Sequence, residues 1–193
     1  MVGPARRRGA ELEQAIVDAA IEQLCEVGWN ALTMEGVAGG AHTGKAAVYR
    51  RWSSKAELVA DALRASLPPL SGIPDTGSIR GDLGLLVRSM RDVMHSRPGQ
   101  ALRSVLHECD DSSSAGFQDI IRTVFLEPSG RLFQVLAERG IERGDVRPDA
   151  TGAFVADVIP AMMMYRTKVC GSEWEDSDIE EFVDRVLVPL LRR

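Results

Sequence analysis

The chain has 193 residues, of which 45% are hydrophobic and 26% charged, so it can fold around a core and is not a disordered tail. Only 5% are aromatic, whereas Ala, Leu, Val, Arg and Glu are abundant, which favours helices over a β-sandwich. We find no run of about 20 apolar residues and no apolar segment after the charged N-terminus, so we expect a cytoplasmic protein without a membrane span or secretion signal. Three widely spaced cysteines, Cys25, Cys109 and Cys170, are expected to be buried thiols in a reducing compartment.

Four helices are predicted in the first third of the chain. Gly28 suits the left-handed position that follows a helix end, and Thr33 is expected to cap a short second helix. The glycine-rich stretch 39–44 predicts a turn after it. A capping box that begins at Ser54 is expected to start the fourth helix, and Pro68 to stop it. The other predicted bounds are 10–27, 45–51 and 54–66.

The rest of the chain also has the periodicity of helices. An interruption, either a kink or a short break, is expected at Pro128. The stretch 154–165 is apolar on every side except at Asp157, which predicts cover by its own domain on one face and by a second subunit on the other. The last helix is expected to begin with a capping box at Ser177. Helical stripes are predicted to start near Ile79, Pro98, Phe117 and Ser177.

The net charge of −5 is distributed unevenly. Residues 1–67 carry eight basic and eight acidic side chains, whereas residues 68–193 carry fifteen basic and twenty acidic ones. No carboxylate lies between Glu35 and Glu57, the stretch that contains Lys45, Arg50, Arg51 and Lys55. This asymmetry is typical of a small DNA-binding head on an acidic body.

Two short helices separated by a tight turn, with basic side chains on the second, meet the requirements of a helix-turn-helix motif. A close approach of the second helix to DNA is favoured by the small residues Gly44, Ala46 and Ala47. Lys55 falls in the first turn of the next helix, where a cation opposes the helix dipole, so we expect it to have an external anion such as a phosphate. Contacts to phosphates or base edges are expected from Lys45, Tyr49, Arg50 and Arg51.

Five segments carry a family resemblance: 16–20 (IVDAA), 27–29 (VGW), 32–38 (LTMEGVA), 44–52 (GKAAVYRRW) and 54–58 (SKAEL). Together they resemble the DNA-binding head of the TetR/AcrR family of transcriptional regulators. The resemblance implies an all-α fold of about nine helices. It also implies an N-terminal three-helix head with a helix-turn-helix and a C-terminal helical domain for ligand binding and dimerisation. The expected domains are a flexible basic arm over 1–9, the head with its connecting helix over 10–66, and the regulatory domain over 67–193.

The resemblance assigns roles to residues of the head. The turn differs from the family pattern, because His42-Thr43 stands where Gly-Val is usual, although His tolerates a positive φ. The basic arm either enters the minor groove through Arg6, Arg7 and Arg8 or is a solvated tail, and the sequence leaves both open. Phosphate contacts are implied for Thr33, Lys45, Tyr49 and Lys55. An exposed, groove-facing position is implied for Thr43, Lys45, Ala46, Ala47 and Arg50. Core positions are implied for Val37, Ala38, Val48, Trp52 and Leu58, and Trp29 is also expected in the core.

An effector site is implied among the central helices. Plain core packing is the alternative for each single residue, and Asp157 is expected either to pair with an arginine or to face the ligand. His95 and His107 match no metal-ligand spacing, so we expect no metal and no cofactor. The candidate effector residues are Met90, Met94, Leu106, Phe125, Phe133, Asp157, Met162, Met163 and Tyr165.

These features predict a homodimeric regulator, most simply a repressor, that binds double-stranded operator DNA and is released by an unidentified small molecule. The last two helices, about 151–169 and 177–192, are expected to pair across a two-fold axis. An activator, or a helical adaptor or binding protein without an operator, is the alternative. We find no nucleophile–base arrangement and no phosphate loop, so an enzyme is not expected. The expected interface residues are Val155, Ile159, Phe182, Val183, Val186, Leu187 and Leu190.

Overall fold

The computed structural model of the chain describes residues 9–70, 72, 75–108 and 118–192. The described residues form helices and connections without a β-strand, which confirms the predicted all-α fold of about nine helices. None of these helices combines the length and the apolar composition needed to cross a bilayer. In chain order the α-helical segments are α1 (Ala10–Ala31), α2 (Met34–Gly40), α3 (Lys45–Tyr49), α4 (Lys55–Ser66), α5 (Ile79–His95), α6 (Arg97–Glu108), α7 (Glu127–Arg143), α8 (Ala153–Cys170), α9 (Asp176–Phe182) and α10 (Val188–Leu191), of which the last two belong to one continuous helix.

The chain divides into two compact units. The first consists of Met1–Pro68 and Met94–Ile121, and the second of Pro69–Val93 and Arg122–Arg193. The first unit therefore contains α6 in addition to α1–α4, and α6 packs against α1 and α4. The compact unit that contains the head therefore extends beyond the residues that carry the family resemblance.

In the first unit, α1 changes direction at Gly28, which has a φ of 78° and a ψ of 175°. The positive φ agrees with the helix end that the sequence predicted, and the helix resumes for a single turn beyond it. The fold places Trp29 of this turn in the core, where only 7% of its surface is exposed.

The caps of α2 and α4 follow the sequence in part. Thr33 accepts a hydrogen bond from the backbone N–H of Gly36 at 3.0 Å, as predicted. Ser54 accepts one from the N–H of Glu57 at 3.2 Å. The carboxylate of Glu57, however, accepts from the N–H and the hydroxyl of Ser53, each at 2.7 Å. The predicted capping box at Ser54 is therefore only half correct, because the carboxylate reaches one residue further back.

In the second unit, the long central helix contains no break at Pro128. A π-helical segment, Ile121–Leu126, runs directly into α7, and Pro128, which has no N–H to donate, lies in the first turn of α7. The helix ends at Gly144, whose φ of 81° is left-handed, as the sequence predicted. A π-helical segment thus lies just before Pro128, where the sequence predicted a kink or a short break.

The helix that begins at Asp176 has its capping box at Glu175 and Asp178, so the predicted box at Ser177 is wrong. The N–H of Glu175 donates to the carboxylate of Asp178 at 3.0 Å. The preceding Trp174 is buried, and its ring lies 5.5 Å from that of Phe182. The packing of these two rings holds the residue that comes just before the start of this helix. A second π-helical segment, Val183–Leu187, joins α9 to α10.

A buried carboxylate ties the start of α5 to the end of α7. The side chain of Asp82 is fully buried, and it accepts hydrogen bonds from the N–H and the hydroxyl of Thr76 at 2.8 and 2.7 Å and from Arg143 at 3.0 Å. Burial raises the pKa of Asp82, but these hydrogen bonds and the charge of Arg143 lower it by more, so the pKa lies below its ordinary value. Asp82 is therefore ionised in the folded unit at neutral pH.

The cysteines only partly match the expectation of buried thiols. Cys25 is half-buried and Cys170 is exposed, so the expectation is wrong for Cys170. Cys109 lies outside the described residues.

Candidate nucleic-acid interface

A tight turn joins α2 to α3 in the first unit. The N–H groups of His42 and Thr43 donate to the carbonyls of Gly39 and Ala38 at 3.0 and 2.9 Å. His42 has a φ of 51°, which is left-handed. Histidine thus adopts the positive φ at the position of the turn where the family usually has glycine. Gly44 then takes an extended conformation before α3. The geometry agrees with the helix-turn-helix that the sequence predicted.

The side chains expected in the core of this motif are all buried, which confirms the prediction. The indole N–H of Trp52 also donates to a carboxylate oxygen of Asp61 at 3.1 Å and so links the end of α3 to α4. The buried set is Val37, Ala38, Val48, Trp52, Leu58 and Trp29.

The outer face of α3 carries most of the predicted DNA-contacting residues. Ala47 is an exception, because only 4% of it is exposed. The expectation that Ala47 faces a DNA groove is therefore wrong. Thr43 is half-buried. The exposed residues are Thr33, Gly44, Lys45, Ala46, Tyr49 and Arg50.

The two arginines after Tyr49 differ in their surroundings. Arg51 is half-buried, its guanidinium donates to the carbonyl of Ala47 at 3.2 Å, and it lies 3.9 Å from the carboxylate of Glu13. Arg50 is exposed, and its guanidinium makes no hydrogen bond or ion pair in the part of the chain that the structure describes. Arg50 therefore offers an unengaged guanidinium next to α3, whereas Arg51 is held against its own unit.

Lys55 has partners inside the protein. Its Nζ donates to the carbonyl of Trp29 at 2.8 Å and lies 4.2 Å from the centroid of the Trp29 ring, a cation–π contact. A carbonyl dipole and a ring face therefore stabilise the ammonium group within the protein, so an external anion is not required for this, and the phosphate contact of Lys55 stays a prediction. Neither partner carries a charge, so Lys55 keeps its full positive charge.

The last turn of α1, which carries Trp29, is held by the end of α6. The carboxylate of Glu108 accepts a hydrogen bond from the N–H of Asn30 at 2.9 Å. A Cβ on Gly28 would lie 2.3 Å from the same carboxylate, which would have to move, and the φ of 78° at this position itself favours glycine. Sequence reasoning missed this role of Glu108, because the contact joins positions 78 residues apart.

Lys45, the first residue of α3, forms an ion pair with Glu35 in the first turn of α2. The hydrogen bond between them lowers the pKa of Glu35 and raises the pKa of Lys45. The Nζ of Lys45 also lies 5.4 Å from the centroid of the Tyr49 ring. Sequence reasoning used Glu35 only as the acidic residue that borders the basic stretch and missed its pairing with Lys45. The predicted arm, with Arg6, Arg7 and Arg8, lies outside the described residues.

The candidate effector residues do not share one environment. Met94 and Leu106 belong to the first unit and the others to the second. Asp157 and Tyr165 are exposed on α8, so the expectation that they line an internal ligand site is wrong. Asp157 also makes no ion pair with any described residue. Met162 is half-buried, and the buried members are Met90, Phe125, Phe133 and Met163.

The expected dimer residues lie on the predicted helices but mostly on their inner faces. Val155 and Leu190 are half-buried, and Val186 is 38% exposed. Four others belong to the core of their own unit and are unavailable to a second chain, so their assignment is wrong: Ile159, Phe182, Val183 and Leu187. The apolar side chains that α8 exposes are instead Phe154, Met164, Tyr165 and Val169.

Comparisons with known proteins cover both units. Residues 73–186 match the family described as tetracyclin repressor-like, C-terminal domain, and residues 16–62 match that described as bacterial regulatory proteins, tetR family. A DNA-binding transcriptional repressor TetR of Mycobacteroides abscessus is 32% identical over 190 residues, 96% of each chain. An uncharacterized HTH-type transcriptional regulator of Mycobacterium tuberculosis is 29% identical over 182 residues, 94% of this chain and 88% of the relative.

Solved structures share the fold. One is native NalD, the secondary repressor of the MexAB-OprM multidrug efflux pump in Pseudomonas aeruginosa. It has a TM-score of 0.65 and 19% identity over 96% of this chain and 99% of that chain. Another is a putative TetR-family transcriptional regulator from Mesorhizobium loti, with a TM-score of 0.64 and 15% identity over 96% of this chain and 97% of that chain. At these identities the likeness concerns the fold alone.

Proposed function

The chain belongs to the TetR family of bacterial transcriptional regulators, which bind DNA and are not enzymes, and we propose that it is a ligand-released repressor that acts as a homodimer. In this proposal it works in the cytoplasm on a palindromic operator. The single observation that carries the DNA-binding site is the exposed face of α3, with Lys45, Tyr49 and Arg50, behind the tight turn that begins at His42.

The size and exposure of α3 support insertion into the major groove. It has five residues, and its first turn presents Gly44 and Ala46 at the surface, so little side-chain bulk separates the backbone from the bases. In this arrangement Arg50 reaches a base edge or a phosphate. Thr33 and Lys55 contact phosphates and orient α3 in the groove.

The exposed apolar side chains of the second unit support a dimer. Phe154 is 90% exposed and Val169 is 68% exposed, and both are apolar residues of the mainly apolar helix α8. A second copy that covers this face removes apolar surface from water and relates two heads by a two-fold axis. Two copies of α3 then reach half-sites that are about 34–36 Å apart or a multiple of that spacing.

Release by a ligand requires that the effector binds one conformation more tightly than the other. The buried core of the second unit supplies methionine and aromatic side chains, including Met90, Phe133 and Met163, and methionine adapts to ligands of irregular shape. We propose that an apolar small molecule enters between such residues. Repression follows if the ligand-free dimer has the spacing that the operator needs.

Selection of genomic fragments by the purified full chain tests this function. We expect enrichment of fragments with an inverted repeat, and loss of that enrichment in the Arg50→Ala variant. Arg131→Ala is the matched control, because it removes an exposed guanidinium from α7 in the second unit. If the wild-type chain enriches no duplex even in dilute buffer, the proposed function is wrong.

A further inference from the structure

The two lysines of the candidate interface are stabilised by different kinds of partner. Lys55 is bound by the uncharged carbonyl and ring of Trp29, so its charge remains available to an anion. Lys45 is bound by the carboxylate of Glu35, so the pair is neutral. Both lysines belong to the surface proposed to face DNA, but only Lys55 presents a net charge there.

The pair of Lys45 and Glu35 is accessible to solvent and to DNA. Their side chains are 56% and 55% exposed, and the pair joins the beginning of α3 to the first turn of α2. Exposed ion pairs are weak because water and salt screen them. A phosphate or a base edge that is well positioned at α3 can therefore take the ammonium group away from the carboxylate without disturbing the core of the unit.

The ring of Tyr49 keeps Lys45 near this surface. The Nζ lies 5.4 Å from the ring centroid, so the lysine is not withdrawn from α3 when it contacts Glu35. Glu35 is in turn held ionised by its hydrogen bond to Lys45, which lowers the pKa of Glu35. At neutral pH the lysine thus carries a bound carboxylate at the position where it would meet a phosphate.

We propose that Glu35 is an internal competitor of the DNA phosphates for Lys45 and thereby sets the affinity of the head for DNA and its dependence on salt. This inference rests on the proposed DNA-binding function and names a residue that tunes it. While Glu35 binds Lys45, the lysine releases no counterion from DNA, so non-specific binding is weakened. Only a site that positions a phosphate or a base edge well at Lys45 displaces the carboxylate, so Glu35 favours operator over random sequence.

The Glu35→Gln variant tests the competition. The amide keeps the shape of the side chain but not its charge, so Lys45 becomes free to neutralise a phosphate. For a random-sequence 30-base-pair duplex (a length of about three helical turns), the slope of log affinity against log salt should become steeper by about 0.9 for each head that binds. The affinity of the variant relative to wild type then increases about eightfold per bound head for each tenfold dilution of the salt.

A second background separates competition from simple repulsion between Glu35 and DNA. In a Lys45→Met chain, competition predicts that Glu35→Gln adds almost nothing, because no lysine remains to be released. Repulsion predicts the same gain in both backgrounds. Glu26→Gln is the matched control, since it removes an exposed carboxylate of the same unit from α1 and should leave the slope unchanged.

Two results would overturn the inference: an unchanged or weaker affinity of Glu35→Gln, or equal gains with and without Lys45. Circular dichroism establishes that each variant keeps its helical content. Failure of the wild-type chain to bind any duplex would refute the proposed function and this inference with it. If instead the wild-type chain binds DNA but the Glu35→Gln slope does not change, the function stands and only the competition is rejected.

Discussion

The first and second units contain similar kinds of charged residue but place them in opposite environments. In the second unit the carboxylate of Asp82 is fully buried and bonded to Thr76 and Arg143, so that charge serves the fold. In the first unit Lys45 and Arg50 lie at the surface, and their charges are open to exchange with an external anion. Burial determines whether a charge stabilises its own unit or is available to a partner.

The second unit also has ion pairs at its surface, and their exposure again determines how much they contribute to stability. Arg80 donates to both carboxylate oxygens of Asp184 at 2.6 and 2.7 Å, and Arg91 binds Asp176. These contacts join α5 to the C-terminal helices. They are exposed at the carboxylate end and are expected to contribute less than the buried contact of Asp82.

The largest effect is expected from breaking the buried charge pair. Asp82→Ala removes the buried acceptor of Arg143 and of the N–H and hydroxyl of Thr76, although Arg143 keeps its hydrogen bond to Asp75 at 2.8 Å, so the free energy of unfolding should fall by about 3 kcal/mol. Urea denaturation followed by circular dichroism measures it. Asp92→Ala on the same helix removes an exposed carboxylate and should cost less than about 0.5 kcal/mol. Equal effects of the two variants would contradict the contrast between buried and exposed charges.

The next effect concerns the turn that supports Lys55. Gly28→Ala forces a positive φ on alanine and pushes its Cβ into the carboxylate of Glu108, so the free energy of unfolding should fall by about 2 kcal/mol. Thermal unfolding measures the loss. Gly39→Ala, at a helical glycine with open space around it, should instead be neutral or stabilising by up to about 1 kcal/mol. A neutral Gly28→Ala would contradict both the strain of the positive φ at this position and a tight contact with Glu108.

A smaller effect is expected at Lys55. Lys55→Met removes the hydrogen bond and the cation–π contact with Trp29, which should lower the free energy of unfolding by about 1 kcal/mol. It should also weaken binding to all duplexes alike and reduce the salt slope by about 0.9 for each bound head without changing sequence preference. Salt titrations with operator and random duplexes measure this. A changed sequence preference would indicate that Lys55 reads bases.

The smallest effect is a pH dependence confined to the second unit. The pKa of Asp82 is lower in the folded than in the unfolded chain, so its stabilisation is complete above the ordinary carboxyl pKa and is lost as the pH falls through the lowered one. Stability should therefore decline below about pH 4. Asp82→Asn should show a shallower decline in acid denaturation curves. Identical curves would exclude Asp82 as a source of the acid sensitivity.

Local patterns predicted much of the head correctly. The cap at Thr33, the positive φ at Gly28 and the burial of Val48 and Trp52 all depend on spacings of a few residues, which a sequence displays directly. The wrong predictions concern which side of a helix is buried against the rest of the unit. Ala47 was expected at the surface and is buried, because a helix of five residues has too few positions to reveal its inner face.

The C-terminal helices repeat this lesson. Leu187 and Ile159 were expected to meet a second chain, but they pack inside their own unit, while Phe154 is exposed. An almost uniformly apolar helix such as α8 has no polar face to indicate its orientation, so periodicity cannot choose between the inner and the outer side. The apolar composition was visible in the sequence, whereas the distribution of the residues between core and surface was not.

Helix positions, most helix ends and the basic stretch of the head follow from interactions within about four residues, and for that reason the amino-acid order suffices to predict them. Contacts between distant positions depend on how the helices pack. The carboxylate of Glu108 beside Gly28, the pairing of Glu35 with Lys45 and the burial of Asp82 belong to this class. Packing brings these groups together across loops whose closure no local pattern encodes, so the tertiary structure alone determines which charges remain available to DNA.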